Sequence, residues 1–185
     1  MKAILCFLLF LVVTFSAFSQ EQKLPYQSLF LELGGAGLPY SFNYDFRFDK
    51  TKMDSWGMRM GLGGYTTQGE SFFSMPIMVN KLYGKAPHYF EMGMGFTFFT
   101  FSQESYCQNG YYDQNGRYVC LSYGSDSYNF ILPVDGSPSV MGTLNFGYRK
   151  VPVDGGVTWR INLTPIFNNN GFWPLYLGLG LGYAF

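Results

Sequence analysis

Beyond residue 19 the sequence lacks any run near the roughly 18 uninterrupted apolar residues that a helical membrane span requires. Charge is scarce, at 13% of residues, and twelve basic side chains balance twelve acidic ones. With no net charge there is no electrostatic footprint for nucleic acid, and none is expected as a partner. There is one histidine, His88, and there are three cysteines. The chain has no Gly-x-Ser-x-Gly elbow and no cluster of histidines with carboxylates. Neither a hydrolase triad nor a metal centre can be assembled from such a set, and no cofactor is expected.

Aromatic residues, by contrast, make up 21% of the chain, and there are 23 glycines. The first nineteen residues have the organisation of a secretory signal peptide: Lys2 in the n-region, Ile4 to Phe15 as the apolar h-region, and Ala17-Phe18-Ser19 before a cleavage point at Gln20. Cys6 lies inside the h-region rather than at a lipidation position, and leaves with the peptide. An exported chain this apolar, without a spanning helix, has one membrane architecture open to it: a closed barrel that satisfies every backbone group between strands.

The last eleven residues carry the clearest pattern. Leu175, Leu177, Leu179, Leu181, Tyr183 and Phe185 alternate with Gly178, Gly180, Gly182 and other residues. A period of two over this length is a strand with one greasy face and one bare face. Eight segments alternate in this way, separated by turn signals: residues 28–36, 40–49, 56–66, 71–83, 89–102, 140–150, 157–167 and 171–185. Most have the ~9–11 residues that a tilted strand needs to cross a bilayer. The expected fold is therefore all-β, an eight-stranded antiparallel up-and-down transmembrane β-barrel. It spans residues 28–185, follows a short periplasmic segment 20–27, and carries a long outer loop at 103–139. Two places fit poorly. Pro76 inside the fourth segment calls for a bulge or a missing ladder bond, and Phe98-Phe99 breaks alternation in the fifth.

With the C-terminus in the periplasm, the periplasmic turns are 49–55, 84–88 and 151–156, all short as a barrel requires. The lysines after the signal peptide (Lys23, Lys50, Lys52, Lys81, Lys85 and Lys150) fall at that end. The outer loops carry Glu70, Glu104, Asp113, Asp126 and Asp135 against Arg117.

The signal peptide, eight amphipathic strands and aromatic last residue resemble the small outer-membrane barrels of Gram-negative bacteria, the group containing the OmpA transmembrane domain, OmpX and OmpW. The opening Leu31-Glu32-Leu33-Gly34-Gly35-Ala36-Gly37-Leu38-Pro39-Tyr40-Ser41-Phe42-Asn43-Tyr44 is similar to uncharacterised barrels of this type. The resemblance implies an outer-membrane location with lipid as the surroundings. It also implies recognition of Leu177, Leu179, Leu181, Tyr183 and Phe185 by the barrel-assembly machinery. No peptidoglycan-binding domain is appended, so the wall-tethering role of the longer OmpA proteins does not carry over.

Parity places seven charged side chains on the inward face: Glu32, Asp45, Arg47, Arg59, Glu91, Arg149 and Arg160. In a narrow lumen they should pair, because an unpaired buried charge is costly. Gly57, Gly61, Gly93, Gly95, Gly178, Gly180 and Gly182 leave them room. The choice is between a charged ion path and a structural polar plug. Eight strands enclose little more than their own side chains, which favours the plug.

Cys107 and Cys120 lie in the long outer loop and, in an oxidising compartment, read as a disulfide. Closing that loop contributes about 3 kcal/mol to its ordered form in the chain-entropy model. Between them Asn115-Gly116 is a hairpin-turn signal. Tyr111, Tyr112 and Tyr118 flank it, with Tyr106, Tyr123 and Tyr128 nearby. These tyrosines are either adaptable contact chemistry for an unidentified outer ligand or the aromatic girdle continued upward. No further Cys or His stands near for zinc, and Asp113-Gln114-Asn115-Gly116 lacks the distal Glu of a calcium loop.

Lipid A-modifying barrels resemble this chain in size but use His and Ser near the outer leaflet. His88 falls at the periplasmic end, so an enzyme is not expected. Gly34-Gly35-Ala36-Gly37 reads as a tight hairpin. The functional expectation is a monomeric or loosely associated barrel with a structural or surface-contact role. The alternative is a small-solute channel or a transporter of hydrophobic compounds of the OmpW type, for which Phe30, Phe72 and Met78 are few candidates. A soluble lipocalin-like barrel would need a polar outside and an apolar inside.

Overall fold

Strands with one apolar and one polar or bare face can close on themselves, and the computed structural model has this form. It describes residues 24–67, 69–103, 106–114, 116–124, 139–169 and 171–185. The expected signal peptide, Lys23, Glu104, Asn115, Asp126, Tyr128 and Asp135 lie outside the described residues, as do the side chains of Tyr106 and Tyr123.

The strands are β1 (Gln27–Gly34), β2 (Tyr40–Arg47), β3 (Trp56–Thr66), β4 (Glu70–Lys85), β5 (His88–Gln103), β6 (Tyr106–Tyr112), β7 (Tyr118–Gly124), β8 (Ser139–Lys150), β9 (Gly156–Leu163), β10 (Ile166–Asn168), β11 (Gly171–Trp173) and β12 (Leu177–Ala184). Antiparallel pairing runs β1-β2-β3-β4-β5-β8-β9-β12 and returns to β1. This is a closed eight-stranded barrel, as the alternation implies. Strands β6 and β7 form a separate hairpin.

The faces divide sharply. Phe42 (67%), Met94 (63%) and Leu181 (63%) are exposed on the outside, whereas Glu32, Asp45 and Glu91 inside are fully buried. An apolar exterior around a charged interior is the reverse of a lipocalin-like soluble barrel.

Four local expectations are refined by the structure. At Pro76 there is no bulge. The β3–β4 ladder skips the pairs facing Met75 and Pro76 and resumes in the same register, Met60 opposite Ile77 and Gly63 opposite Ser74. The β4–β5 ladder runs through Pro76 unbroken. The seventh and eighth segments are each interrupted, β9 from β10 at Thr164-Pro165 and β11 from β12 at Pro174 to Tyr176. A proline there cannot donate to the ladder. Leu144 N–H still reaches the Pro165 carbonyl (2.9 Å), and Thr164 N–H reaches the Tyr176 carbonyl (2.6 Å).

At Phe98-Phe99 alternation holds after all: Phe98 faces out and Phe99 is buried inside. What changes there is the lumen, which becomes apolar. Finally, residues 34–39 do connect β1 to β2 tightly, but the 3-10 turn Gly35–Gly37 is itself buried. Ser74 Oγ donates to the Gly37 carbonyl (2.8 Å), and Thr97 Oγ1 donates to that of Ala36 (2.7 Å). The turn thus reaches β4 and β5 across the lumen. Gly34 and Gly35 have φ near +70°, and a Cβ on Gly35 would strike the Glu32 carboxylate. A side chain at either position would strain the fold.

Candidate functional site: the barrel interior and the stapled hairpin

The interior is stacked in three layers. At the lysine-rich end, Met53 from the turn between β2 and β3 packs with Leu82, Tyr89, Val151 and Ala184. That turn is anchored by Asp49, which accepts from the Thr51 hydroxyl (2.6 Å) and N–H (2.9 Å). These bonds hold the Asp49 carboxyl below its ordinary pKa.

The middle layer holds all seven inward charges, each at most 2% exposed. Asp45 on β2 accepts from Arg47 (2.6 Å), from Arg149 on β8 (2.9 Å) and from the Asn80 amide on β4 (2.6 Å). Arg149 also donates to Ser28 Oγ (2.7 Å) and stands 3.8 Å from Glu91. Glu91 on β5 accepts from Arg160 on β9 and from the Asn145 amide, both at 3.1 Å. Arg59 on β3 pairs with Glu32 on β1 and donates through Nε to Asn43 (3.0 Å).

Phe30 meets two of these cations. The Arg160 guanidinium sits 3.6 Å from its ring centroid, and that of Arg59 sits 5.0 Å away. Such faces attract cations through the ring quadrupole, more so when desolvated. The three carboxylates therefore each meet a guanidinium from a strand that is not an immediate neighbour, and Asp45–Arg149 joins opposite walls, β2 to β8.

Glycines permit this density. A Cβ on Gly57 would run into the Arg47 guanidinium, one on Gly61 into the Asn43 amide, and one on Gly180 into the Arg160 stem. Asn43, Asn80, Asn145, Ser28 and Phe30 were not among the charged candidates. Each falls on the inward parity of its strand, and the need of a buried charge for more than one partner is the signal that marks them.

The outer layer is apolar. Leu38 from the inward turn packs with Phe72, Phe99, Phe101, Met141 and Ile166, under Tyr65, Trp173 and Tyr176. Of the three apolar lumen candidates, Phe72 belongs here, Phe30 belongs to the charge layer, and Met78 is buried on β4.

In the separate hairpin, Cys107 and Cys120 are joined, with Cα atoms 5.7 Å apart. Tyr112 and Tyr118 stack edge to face at 5.2 Å, and Tyr111 and Leu121 are exposed. The expected recognition strip Leu177, Leu179, Leu181 and Tyr183 faces outward along β12. Phe185 is about half exposed, and its backbone pairs with Gln27. His88 points outward at the lysine-rich end, with Nδ1 2.5 Å from the Tyr148 hydroxyl. Among the described residues no group of three or more His, Cys, Asp or Glu is placed to hold a metal.

The sequence matches no protein-family model and no curated protein. Among solved structures it is similar to the N-terminal β-barrel domain of Pseudomonas aeruginosa OprF, with a TM-score of 0.51 and 12% identity. The likeness covers 86% of this chain and 95% of that domain. At that identity the likeness speaks for the fold alone, a closed eight-stranded antiparallel β-barrel.

Proposed function

We propose that this chain is an exported outer-membrane barrel with a closed interior, which meets its surroundings outside the cell through the stapled hairpin β6–β7. The observation that carries the reading is the inverted barrel: apolar outside, with carboxylates and guanidiniums paired across the inside. Such an exterior is unfavourable in water and at home in lipid, where closed barrels are one of two permitted spanning forms. The stacked layers support a plug rather than a pore, since eight strands leave room for little else. The lysine-rich end is read as periplasmic, and the outward strip on β12 as the surface met by the assembly machinery. No catalysis is assigned. His88 sits against Tyr148 at the lysine-rich end, and His88→Ala should leave lipid A composition unchanged.

The exposed Tyr111, Tyr112, Tyr118 and Leu121 supply rigid amphipathic contact area of the kind used in adaptable recognition surfaces. Planar-bilayer conductance of the refolded barrel, with and without reduction of Cys107–Cys120, tests the reading. Silence in both states is expected. Steady channels would make the charged interior a path, and channels that appear only on reduction would make the hairpin its gate.

One feature favours a second reading, passage of small apolar solutes. An outward crevice of about 500 Å³, lined in part by Tyr40, Phe42, Leu62, Gly63, Gly64 and Phe73, lies beside the gap in the β3–β4 ladder. Barrel-dependent uptake of a fluorescent apolar probe by vesicles that show no conductance would support that route.

A further inference from the structure

The strand register assembles a basic rung on the lipid-facing wall. Lys85 of β4 pairs with His88 of β5, His88 with Lys150 of β8, and Lys150 with Trp159 of β9. The next outward rung is Tyr83, Phe90, Tyr148 and Ile161, and the one after it is Lys81, Met92, Phe146 and Leu163. Lys81 lies over the Tyr83 ring at 5.1 Å and the Trp56 ring at 5.7 Å. His88 is held by the Tyr148 hydroxyl through Nδ1. The wall therefore changes from two lysines flanking His88, to a mainly aromatic rung, to a rung that is apolar apart from Lys81, whose ammonium lies back over the Tyr83 ring.

Lys85 and Lys150 flank His88 from the strands on either side, so their backbones stand about 10 Å apart. Among the described residues no carboxylate lies within 4 Å of either ammonium, and Glu91 faces inward. An anion seated over His88 would accept charge-assisted hydrogen bonds from both lysines. Tyr and Trp beside such a group are the side chains that settle at the level of lipid headgroups.

We infer that the face around Lys85, His88 and Lys150 binds the phosphate of an anionic phospholipid, whose acyl chains run along the Tyr83, Phe90 and Tyr148 rung and the apolar positions above it. The inference rests on the outer-membrane reading, and the test separates the two. Insertion into phosphatidylcholine vesicles is scored first, by protease protection. A barrel that fails to insert removes both readings.

For a barrel that inserts, native mass spectrometry measures retention of phosphatidylglycerol against phosphatidylcholine. A preference of about thirty-fold is expected, the scale set by two lysines near a charged surface. It should vanish in Lys85→Gln/Lys150→Gln, return in Lys85→Arg/Lys150→Arg, and persist in Lys50→Gln/Lys52→Gln, which removes equal charge from another turn. A wild-type ratio near one would overturn the inference while leaving the barrel reading intact. So would an equal loss in the Lys50/Lys52 control, or displacement of the lipid by millimolar inorganic phosphate.

Discussion

Arg149 and Asp45, 104 positions apart in sequence, meet across the lumen with Nη1 2.9 Å from Oδ1. The contact spans β8 and β2, strands that are not neighbours in the barrel. Arg149 also lies near Glu91, so one guanidinium links two of the three buried carboxylates.

Removing one member of that link should be far worse than removing both. Arg149→Met leaves Asp45 with Arg47 and Glu91 with Arg160 as their remaining guanidiniums, and should cost up to the about 3–5 kcal/mol lost when a buried pair is broken. Asp45→Asn/Arg149→Met should recover much of it. Urea unfolding of the refolded barrel in vesicles measures both. Equal loss in the single and double variants would show that Asp45 does not depend on Arg149.

The glycines that line the charge layer make a graded prediction. Gly57→Ala places a methyl against the Arg47 guanidinium and should destabilise by about 1–3 kcal/mol, as overpacking does. Gly69→Ala, where no atom lies within 4 Å, should change stability by less than about 0.5 kcal/mol. The same urea series compares them.

Much of this interior could be read from spacing. Alternation assigns every strand residue to a face whatever the loops do, which is why Glu32, Asp45, Arg47, Arg59, Glu91, Arg149 and Arg160 are all found inside. Spacing does not say where a loop goes. Gly34 to Gly37 reads as a turn in any setting; that it enters the barrel depends on Ser74 and Thr97, which lie far off in sequence. The pair Phe98-Phe99 reads as a fault only in a pattern that assumes a polar lumen throughout. Phe99 and Phe101 follow the pattern once Leu38 arrives to pack against them. Met53 likewise closes the lysine-rich end from a turn whose sequence shows only polar neighbours.

The hairpin and the barrel should respond independently to the disulfide. Strands β6 and β7 share no ladder with the barrel sheet. Cys107→Ser/Cys120→Ser should therefore leave the barrel's urea midpoint unchanged. Limited proteolysis between Tyr112 and Tyr118 should become markedly faster, since the bond contributes about 3 kcal/mol to the closed hairpin. A lower midpoint without faster cleavage would show that the bond supports the barrel instead.

The environment of the outer wall is open to direct measurement. Met94 lies mid-strand on β5 and is 63% exposed, so its neighbours inside the barrel are few. In water an arginine there would change stability by about 0.5 kcal/mol or less, as surface substitutions do. Near the middle of a bilayer the same arginine costs about 2–4 kcal/mol. Met94→Arg should therefore be strongly destabilising in lipid vesicles. Lys85→Arg, at the headgroup end, should be nearly neutral under the same conditions. If both variants unfolded at the wild-type urea concentration, the apolar wall would not be buried in lipid, and the membrane reading would have to be abandoned.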